Sequence, residues 1–172
     1  MINILGQLLS KAIDMGVDVV TSNKQFKQLK QVVIEKTARE LRFNSELLGE
    51  RIPKSDLADE KVIDILIGSL STDSFDELIK SSVPLIIIFD EYILDANDWL
   101  AYQKTLKKES RQMLGWAKGI KSQAELIERI YHRTKIIKLF CTMNMRKGLV
   151  SIQYIKFLIL AFQHFEKNKK SV

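Results

Sequence analysis

The chain has 172 residues, 46% of them hydrophobic, which is typical of one domain with a single sizeable core. Its 7 glycines and 2 prolines are too few for the turns of an all-β fold, and its one cysteine excludes a disulfide framework. The formal net charge of +6 is divided unevenly: residues 1–103 carry 11 Lys/Arg and 17 Asp/Glu (net −6), whereas residues 104–172 carry 16 and 4 (net +12).

Hydrophobic spacing predicts a series of helices in the N-terminal half. Apolar residues recur at helical spacing over residues 1–20, and a longer helix is predicted from about residue 24 to residue 48. A third helix is expected to stop near Gly68. Ser74 and Glu77 have the spacing of a capping box, which predicts the start of a short fourth helix.

The stretch SVPLIIIFDEY, residues 82–92, resembles the Mg²⁺-binding strand of a P-loop ATPase, because an apolar run ends in two carboxylates. The phosphate-binding motif G-x-x-x-x-G-K-[ST] is absent from the chain, so this interpretation lacks its essential partner. Pro84, placed near a first helical turn, and the lack of turn residues afterwards predict a long helix instead. Its apolar face would contain Leu85, Ile88, Tyr92, Ala96, Trp99 and Leu106.

The C-terminal half is also predicted to be helical. Residues 97–119 have a helical pattern with charged exposed faces, and Ser122 with Glu125 forms a capping box for a helix that reaches about Asn144. Gly148 separates this helix from a broadly apolar last one, which is typical of a central, buried element.

These elements predict an all-α fold, a single compact helical bundle-like domain of about six to eight helices. The domain would cover residues 1–165, followed by a basic C-terminal tail at 166–172. No secretory signal is apparent, and no apolar run approaches the roughly 20 residues that span a bilayer. With its single cysteine, the chain is expected to be a soluble cytoplasmic protein.

Three carboxylates, Glu91, Asp95 and Asp98, would share one face of the predicted long helix. They could hold a divalent metal or act in acid/base catalysis, which makes a metal-dependent enzyme using residues 91–98 one alternative function. A calcium loop is excluded because DANDWLAYQKTL lacks the required glycine and glutamate. We expect instead an acidic face for a partner, or for the basic half of this chain.

Other chemistry has little support. His132 and His164, the only histidines, fall on different predicted helices, and nothing in their spacing predicts a metal site or a catalytic triad. Cys141 shares a stripe with apolar residues, which indicates a small buried side chain rather than a nucleophile. We therefore predict no catalytic residue, no cofactor and no metal site.

The basic half offers the clearest binding residues, because lysine and arginine side chains can neutralise phosphates or carboxylates. The predicted anion or nucleic-acid contacts are Lys104, Lys107, Lys108, Arg111, Lys118, Lys121, Arg129, Arg133, Arg146 and Lys147. The sequence thus favours a non-catalytic accessory or adaptor protein that binds a macromolecular partner, in the first place a protein, through charged helical faces. Sequence-nonspecific binding of nucleic acid by the basic half is the second alternative, and mutual neutralisation of the two halves is also open.

Overall fold

The computed structural model describes residues 24–50, 60–81, 83–89, 93–107, 110–143 and 149–169. Its helices are α1 (Lys24–Glu50), α2 (Glu60–Gly68), α3 (Asp73–Lys80), α4 (Leu85–Phe89), α5 (Ala96–Thr105), α6 (Arg111–Ala117), α7 (Gln123–Thr142) and α8 (Leu149–Lys169). Within these ranges there is no strand, and only an isolated bridge joins Ile93 to Ser122. The all-α prediction is confirmed, whereas the helix predicted over residues 1–20 lies outside the described residues.

Helix α8 lies at the centre of the fold, as its apolar sequence predicts. It packs against α7, α1, α5 and α6. A helix with apolar residues on two adjoining stripes can bury both against different neighbours. Its buried residues are Ile152, Tyr154, Ile155, Phe157, Leu158, Ile159, Ala161, Phe162 and Phe165. The helix continues to Lys169, so the first part of the predicted basic tail, residues 166–169, is helical.

An aromatic cluster joins α5 to α8. The Trp99 ring packs edge-on against Phe165 with centroids 5.2 Å apart, and its indole N–H donates to the Ile120 carbonyl oxygen at 3.2 Å. The Tyr102 hydroxyl donates to the Phe157 carbonyl oxygen at 3.0 Å, and burial raises the pKa of this tyrosine. Each aromatic pair contributes about 0.5–1.5 kcal/mol beyond area burial, so α5 is firmly held.

Helix α1 confirms the prediction of a long helix from residue 24, although it continues through Gly49 to Glu50. Its fully buried residues include Leu41 and Leu48, which are separated by seven positions and therefore lie on the same face. This face packs against α8, and α1 also contacts α3 and α4.

The prediction of one long helix beginning at Pro84 is wrong. Residues 85–89 are helical, but the next helix starts only at Ala96, and residues 90–92 lie outside the described ranges. In between, the Leu94 N–H donates to the Lys121 carbonyl oxygen at 2.8 Å. Asp95 has an extended conformation, with φ −100° and ψ −179°, so the backbone here is not helical and no continuous helix joins α4 to α5.

The helix predicted over residues 97–119 is also divided in two. Leu106 has an extended conformation, with φ −86° and ψ 143°, and α6 begins at Arg111. Gly115 lies inside α6, and the turn that ends this helix contains Gly119.

The capping box predicted at Ser74 is wrong, because Thr72 is the N-cap residue of α3. Ser122 does cap α7, since its Oγ accepts from the Glu125 N–H at 3.1 Å. The Glu125 carboxylate accepts from the Lys121 N–H at 2.7 Å, one residue before the position that a capping box requires.

Candidate functional site

The predicted basic contacts are exposed wherever the structure describes them. Lys108, Arg146 and Lys147 lie outside the described residues. The exposed ones are Lys104, Lys107, Arg111, Lys118, Lys121, Arg129 and Arg133. Within the described part of the chain, none of these seven side chains forms an ion pair with a carboxylate.

One side of helix α7 faces a polar network that joins three helices. The Tyr131 hydroxyl donates to the Glu40 carboxylate on α1. The other oxygen of that carboxylate accepts from the Ser71 hydroxyl and from the Ser74 backbone N–H, each at 2.8 Å. Asn44 forms two further hydrogen bonds with the Ser71 backbone, both 2.8 Å long. Burial and the charge of Glu40 raise the pKa of Tyr131, so the phenol remains a donor.

Two lysines of α7 lie on this same side. Lys135 forms an ion pair with Asp76, and the Lys138 ammonium donates to the Leu70 carbonyl oxygen at 2.6 Å. Hydrogen bonding to Lys135 holds the pKa of Asp76 below its ordinary value. One ion pair, between Lys135 and Asp76, thus joins the basic half of the chain to the acidic half here, whereas Lys138 binds a neutral backbone carbonyl.

The opposite side of α7 borders an open pocket between α6, α7 and α8, which we call the Trp116 pocket. It has a volume of about 340 Å³. It is lined by Trp116, Arg133, Ile136, Ile137, Phe140, Ser151, Tyr154 and Ile155. Most of these side chains are apolar, so the pocket can exclude water from a ligand of suitable shape.

Trp116 is half in solvent, with 55% of its surface exposed, but its position is well defined. Its ring packs edge-on against Tyr154, with centroids 5.5 Å apart and an interplanar angle of 83°. The Tyr154 hydroxyl also donates to the Trp116 carbonyl oxygen at 3.2 Å. These two contacts join α6 to α8 and hold the indole at the edge of the pocket.

Positive charge lies at the rim of the Trp116 pocket. The Arg133 Cζ atom is 5.9 Å from the centroid of the Tyr154 ring, within the range of a cation–π contact. Arg129 lies one turn earlier on α7. Burial raises the pKa of Tyr154, although the positive charges of Arg129 and Arg133 oppose the change. Two exposed acidic residues, Glu125 and Glu128, precede Arg129 on the same helix.

A second pocket, of about 450 Å³, lies between α5 and the turn that follows α6. Lys118 and Lys121 line it together with apolar residues such as Leu100, which is 53% exposed. The other exposed basic residues of this region, Lys104, Lys107 and Arg111, line neither pocket. Only some of the predicted contacts are thus placed beside concave apolar surface.

The predicted acidic face does not form on one helix. Asp95 precedes α5 and caps it, with its Oδ1 accepting from the N–H groups of Asn97 and Asp98 at 2.7 and 2.9 Å. The Asp98 carboxylate accepts in turn from the Asp95 N–H at 2.9 Å, which completes a capping box. These hydrogen bonds, led by that from the Asp98 N–H, lower the pKa of Asp95. Glu91 lies outside the described residues.

The remaining reactive residue types are dispersed. His132 is exposed on α7, and His164 is half-buried against Tyr102 at 5.3 Å between ring centroids. Burial lowers the pKa of His164 and raises that of Cys141, which packs partly buried against the core. Among the described residues, no three His, Cys, Asp or Glu side chains are grouped closely enough to hold a metal ion.

Three residues of these two regions are missing from the sequence-based prediction: Trp116, Tyr154 and Glu40. Trp116 has a detectable signal, because it occurs in the polar, glycine-flanked segment GWAKG, where a core tryptophan would be unusual. Tyr154 falls within the apolar pattern of α8, and Glu40 within the charged pattern of α1. Their partners lie on other helices, so no local pattern identifies them.

Comparison with known proteins finds no family model, no curated protein and no solved structure that matches this chain. In the described ranges, no helix has both the length and the apolar content needed to cross a membrane.

Proposed function

We propose that this chain is a non-catalytic interaction protein that binds an acidic surface of a partner protein through the exposed basic side of helix α7. One observation carries the proposal. Arg133 lines an apolar pocket and Arg129 lies one helical turn before it; both are exposed and form no ion pair within the described residues. Lys135 and Lys138 of the same helix instead contact groups of the N-terminal half.

The residue types at this surface are those that dominate protein interfaces. Trp, Tyr and Arg are enriched among the side chains whose truncation costs the most binding energy. Here Trp116 and Arg133 both contact Tyr154, although the three residues are distant in sequence. Arginine also presents planar donors that match a carboxylate, and complementary charge accelerates encounter between partners.

A protein partner is favoured over nucleic acid by the arrangement of charge. Nonspecific nucleic-acid binding requires a continuous basic track along several phosphates. The basic residues of α7 are instead divided between two sides of the helix, and Glu125 and Glu128 are exposed close to Arg129 in sequence. An accessory or adaptor role in the cytoplasm, without cofactor or catalytic centre, is part of the same proposal.

Affinity capture from the cell that produces the protein tests this function. The bait is the full chain, compared with the double variant Arg129→Glu/Arg133→Glu, each with and without nuclease. We expect partner proteins that survive nuclease treatment, dissociate as salt rises and are lost from the double variant. Arg42→Glu, which reverses an exposed charge on α1, should retain them.

Two results would overturn the proposal. Capture that is abolished by nuclease would indicate a nucleic-acid-binding protein. Equal capture by the wild type and the double variant would show that α7 is not the binding surface. Circular dichroism of each variant establishes that the fold is intact before the comparison is made.

A further inference from the structure

We infer that the Trp116 pocket is a docking site for a short acidic segment of the partner protein, which inserts one bulky apolar side chain and places carboxylates on Arg129 and Arg133. This inference rests on the proposed function and adds the chemistry of the partner. Three features of the pocket support it, namely its apolar interior, the position of Trp116 and the charge at its rim.

The interior of the pocket suits an apolar side chain. Ile137 and Ile155 are almost fully buried at its base, and Ile136 and Phe140 are partly buried at its sides. A volume of about 340 Å³ has room for one leucine, phenylalanine or tryptophan side chain with part of its backbone. Transfer of such a side chain from water favours binding, because it removes apolar surface from solvent.

Trp116 is prepared for this contact before any partner arrives. Its backbone carbonyl accepts a hydrogen bond from the Tyr154 hydroxyl, and its ring packs edge-on against the Tyr154 ring. Little conformational freedom of Trp116 therefore remains to be lost on binding. The exposed half of the indole would leave water when a ligand enters the pocket. A pre-positioned aromatic ring of this kind acts as an anchor for binding.

Arg133 at the rim, together with Arg129 one helical turn before it, defines the rest of the ligand. Contact with the Tyr154 ring holds the Arg133 guanidinium beside the pocket, and Arg129 extends the positive charge by one helical turn. Both have exposed donors and lack an ion-pair partner in the part of the chain described. A carboxylate next to the inserted side chain would accept two hydrogen bonds from one of these guanidinium groups.

The same features argue against a nucleic-acid strand in this pocket. Single-stranded nucleic acid binds where several aromatic rings offer flat stacking surfaces along a continuous basic groove. Here the lining contains three isoleucines and three aromatic residues, but only Trp116 among those aromatics is exposed: Tyr154 is buried and Phe140 is partly buried. The exposed Glu125 and Glu128 would repel a run of phosphates but can be avoided by a segment with a few well-placed carboxylates.

Calorimetric titration of the full chain with defined synthetic peptides tests the inference. The probes are acidic peptides of equal length and charge with Leu, Phe, Trp or Ser at the centre, the Leu peptide with its acids replaced by amides, and an oligothymidylate. We expect the peptides with an apolar centre to bind about tenfold more tightly than either the Ser peptide or the amide peptide. Trp116→Ala should lower the affinity for the peptides with an apolar centre by about tenfold, to that of the Ser peptide. The affinity for the Ser peptide itself should not change.

Leu139→Ala is the matched control, since Leu139 is an apolar residue of α7 that is also 55% exposed but does not line the pocket. It should bind every probe as the wild type does. The inference is overturned if no acidic peptide with an apolar centre binds, if the central residue has no effect, or if Trp116→Ala changes nothing. None of these three results contradicts the proposed function, which the capture experiment tests separately. Binding of the oligothymidylate in place of the peptides would contradict both.

Discussion

Both sides of helix α7 present basic residues close to a tyrosine, but the two sides meet different groups. On one side, Tyr131 and Lys135 bind the carboxylates of Glu40 and Asp76. On the other side, Tyr154 of α8 binds only a backbone carbonyl, and Arg133 meets the face of its ring. Net charge along a sequence therefore does not reveal which cations are available to a partner. The neighbouring helices determine it, because they supply carboxylates on one side and apolar residues on the other.

Loss of the hydrogen-bond network around Glu40 should reduce stability the most. Glu40→Ala removes the acceptor shared by Tyr131, Ser71 and Ser74, and leaves at least two buried donors without a partner. We expect the free energy of unfolding to fall by about 2–4 kcal/mol, measured by urea denaturation. Glu46→Ala, on the exposed face of the same helix, should change it by less than about 0.5 kcal/mol. Equal losses in the two variants would show that the network contributes nothing specific.

The two tyrosines allow a more direct comparison of the two sides. Tyr131→Phe removes a hydrogen bond to a carboxylate inside the protein, for which we expect a loss of about 1.5 kcal/mol in unfolding free energy. Tyr154→Phe removes a bond to a carbonyl of the half-exposed Trp116, which water can replace, so we expect about 0.5 kcal/mol. Thermal and urea denaturation of both variants measure these values. The reverse order would contradict our assignment of the structural and the binding side.

The ion pair between Lys135 and Asp76 should contribute a small stability that depends on pH. Because the folded-state pKa of Asp76 is below the ordinary 3.8, its contribution is present above pH 3.8 and is lost as the pH falls through the lower folded-state value. The two side chains are 45% and 35% exposed, so solvent and salt limit the pair to about 0.5 kcal/mol. Asp76→Asn should therefore be less stable than the wild type at pH 7, and its difference from the wild type should vanish in strong acid. A difference that is constant with pH would exclude the ion pair as its cause.

The smallest effect is expected on the binding side. The double variant Arg129→Ala/Arg133→Ala loses one exposed cation–π contact, so its unfolding free energy should stay within about 0.5 kcal/mol of the wild type. The same variant should lose most of its affinity for the acidic peptides. A large loss of stability, detected by urea denaturation, would place these arginines with the structural network instead.

Sequence reasoning succeeded where the pattern was long and local. The apolar repeats of α1 and α8 persist over more than twenty residues, so the sequence alone predicts the length of each helix and which of its faces is buried. It failed between α4 and α5, because the interruption depends on a backbone hydrogen bond from Leu94 to Lys121, which no local pattern encodes. A signal was nevertheless present there, since Asp95 and Asp98 have the three-residue spacing of a helix cap.

The candidate site was predictable only in part. The set of basic residues follows directly from composition, and Arg129 and Arg133 belong to it. The sequence also indicates that Lys135 lies on the other side of the helix from Arg133. The two residues are two positions apart, which corresponds to a rotation of about 200° around a helix. Which of the two sides would meet carboxylates depends on the packing of α1 and α3 against their neighbours, and this is a property of the folded chain.

The two tryptophans differ enough in environment to report on separate events. Trp99 is 4% exposed and donates to a carbonyl, so its emission should lie to the blue, resist quenching and change only when the fold is lost. Trp116, which is 55% exposed and lines the same pocket as Arg133, should emit to the red and be quenched more strongly by iodide than by caesium, because the local positive charge concentrates anions. The chain thus contains one optical probe of folding and one of occupancy, and the selective loss of iodide quenching would reveal a bound partner without any label.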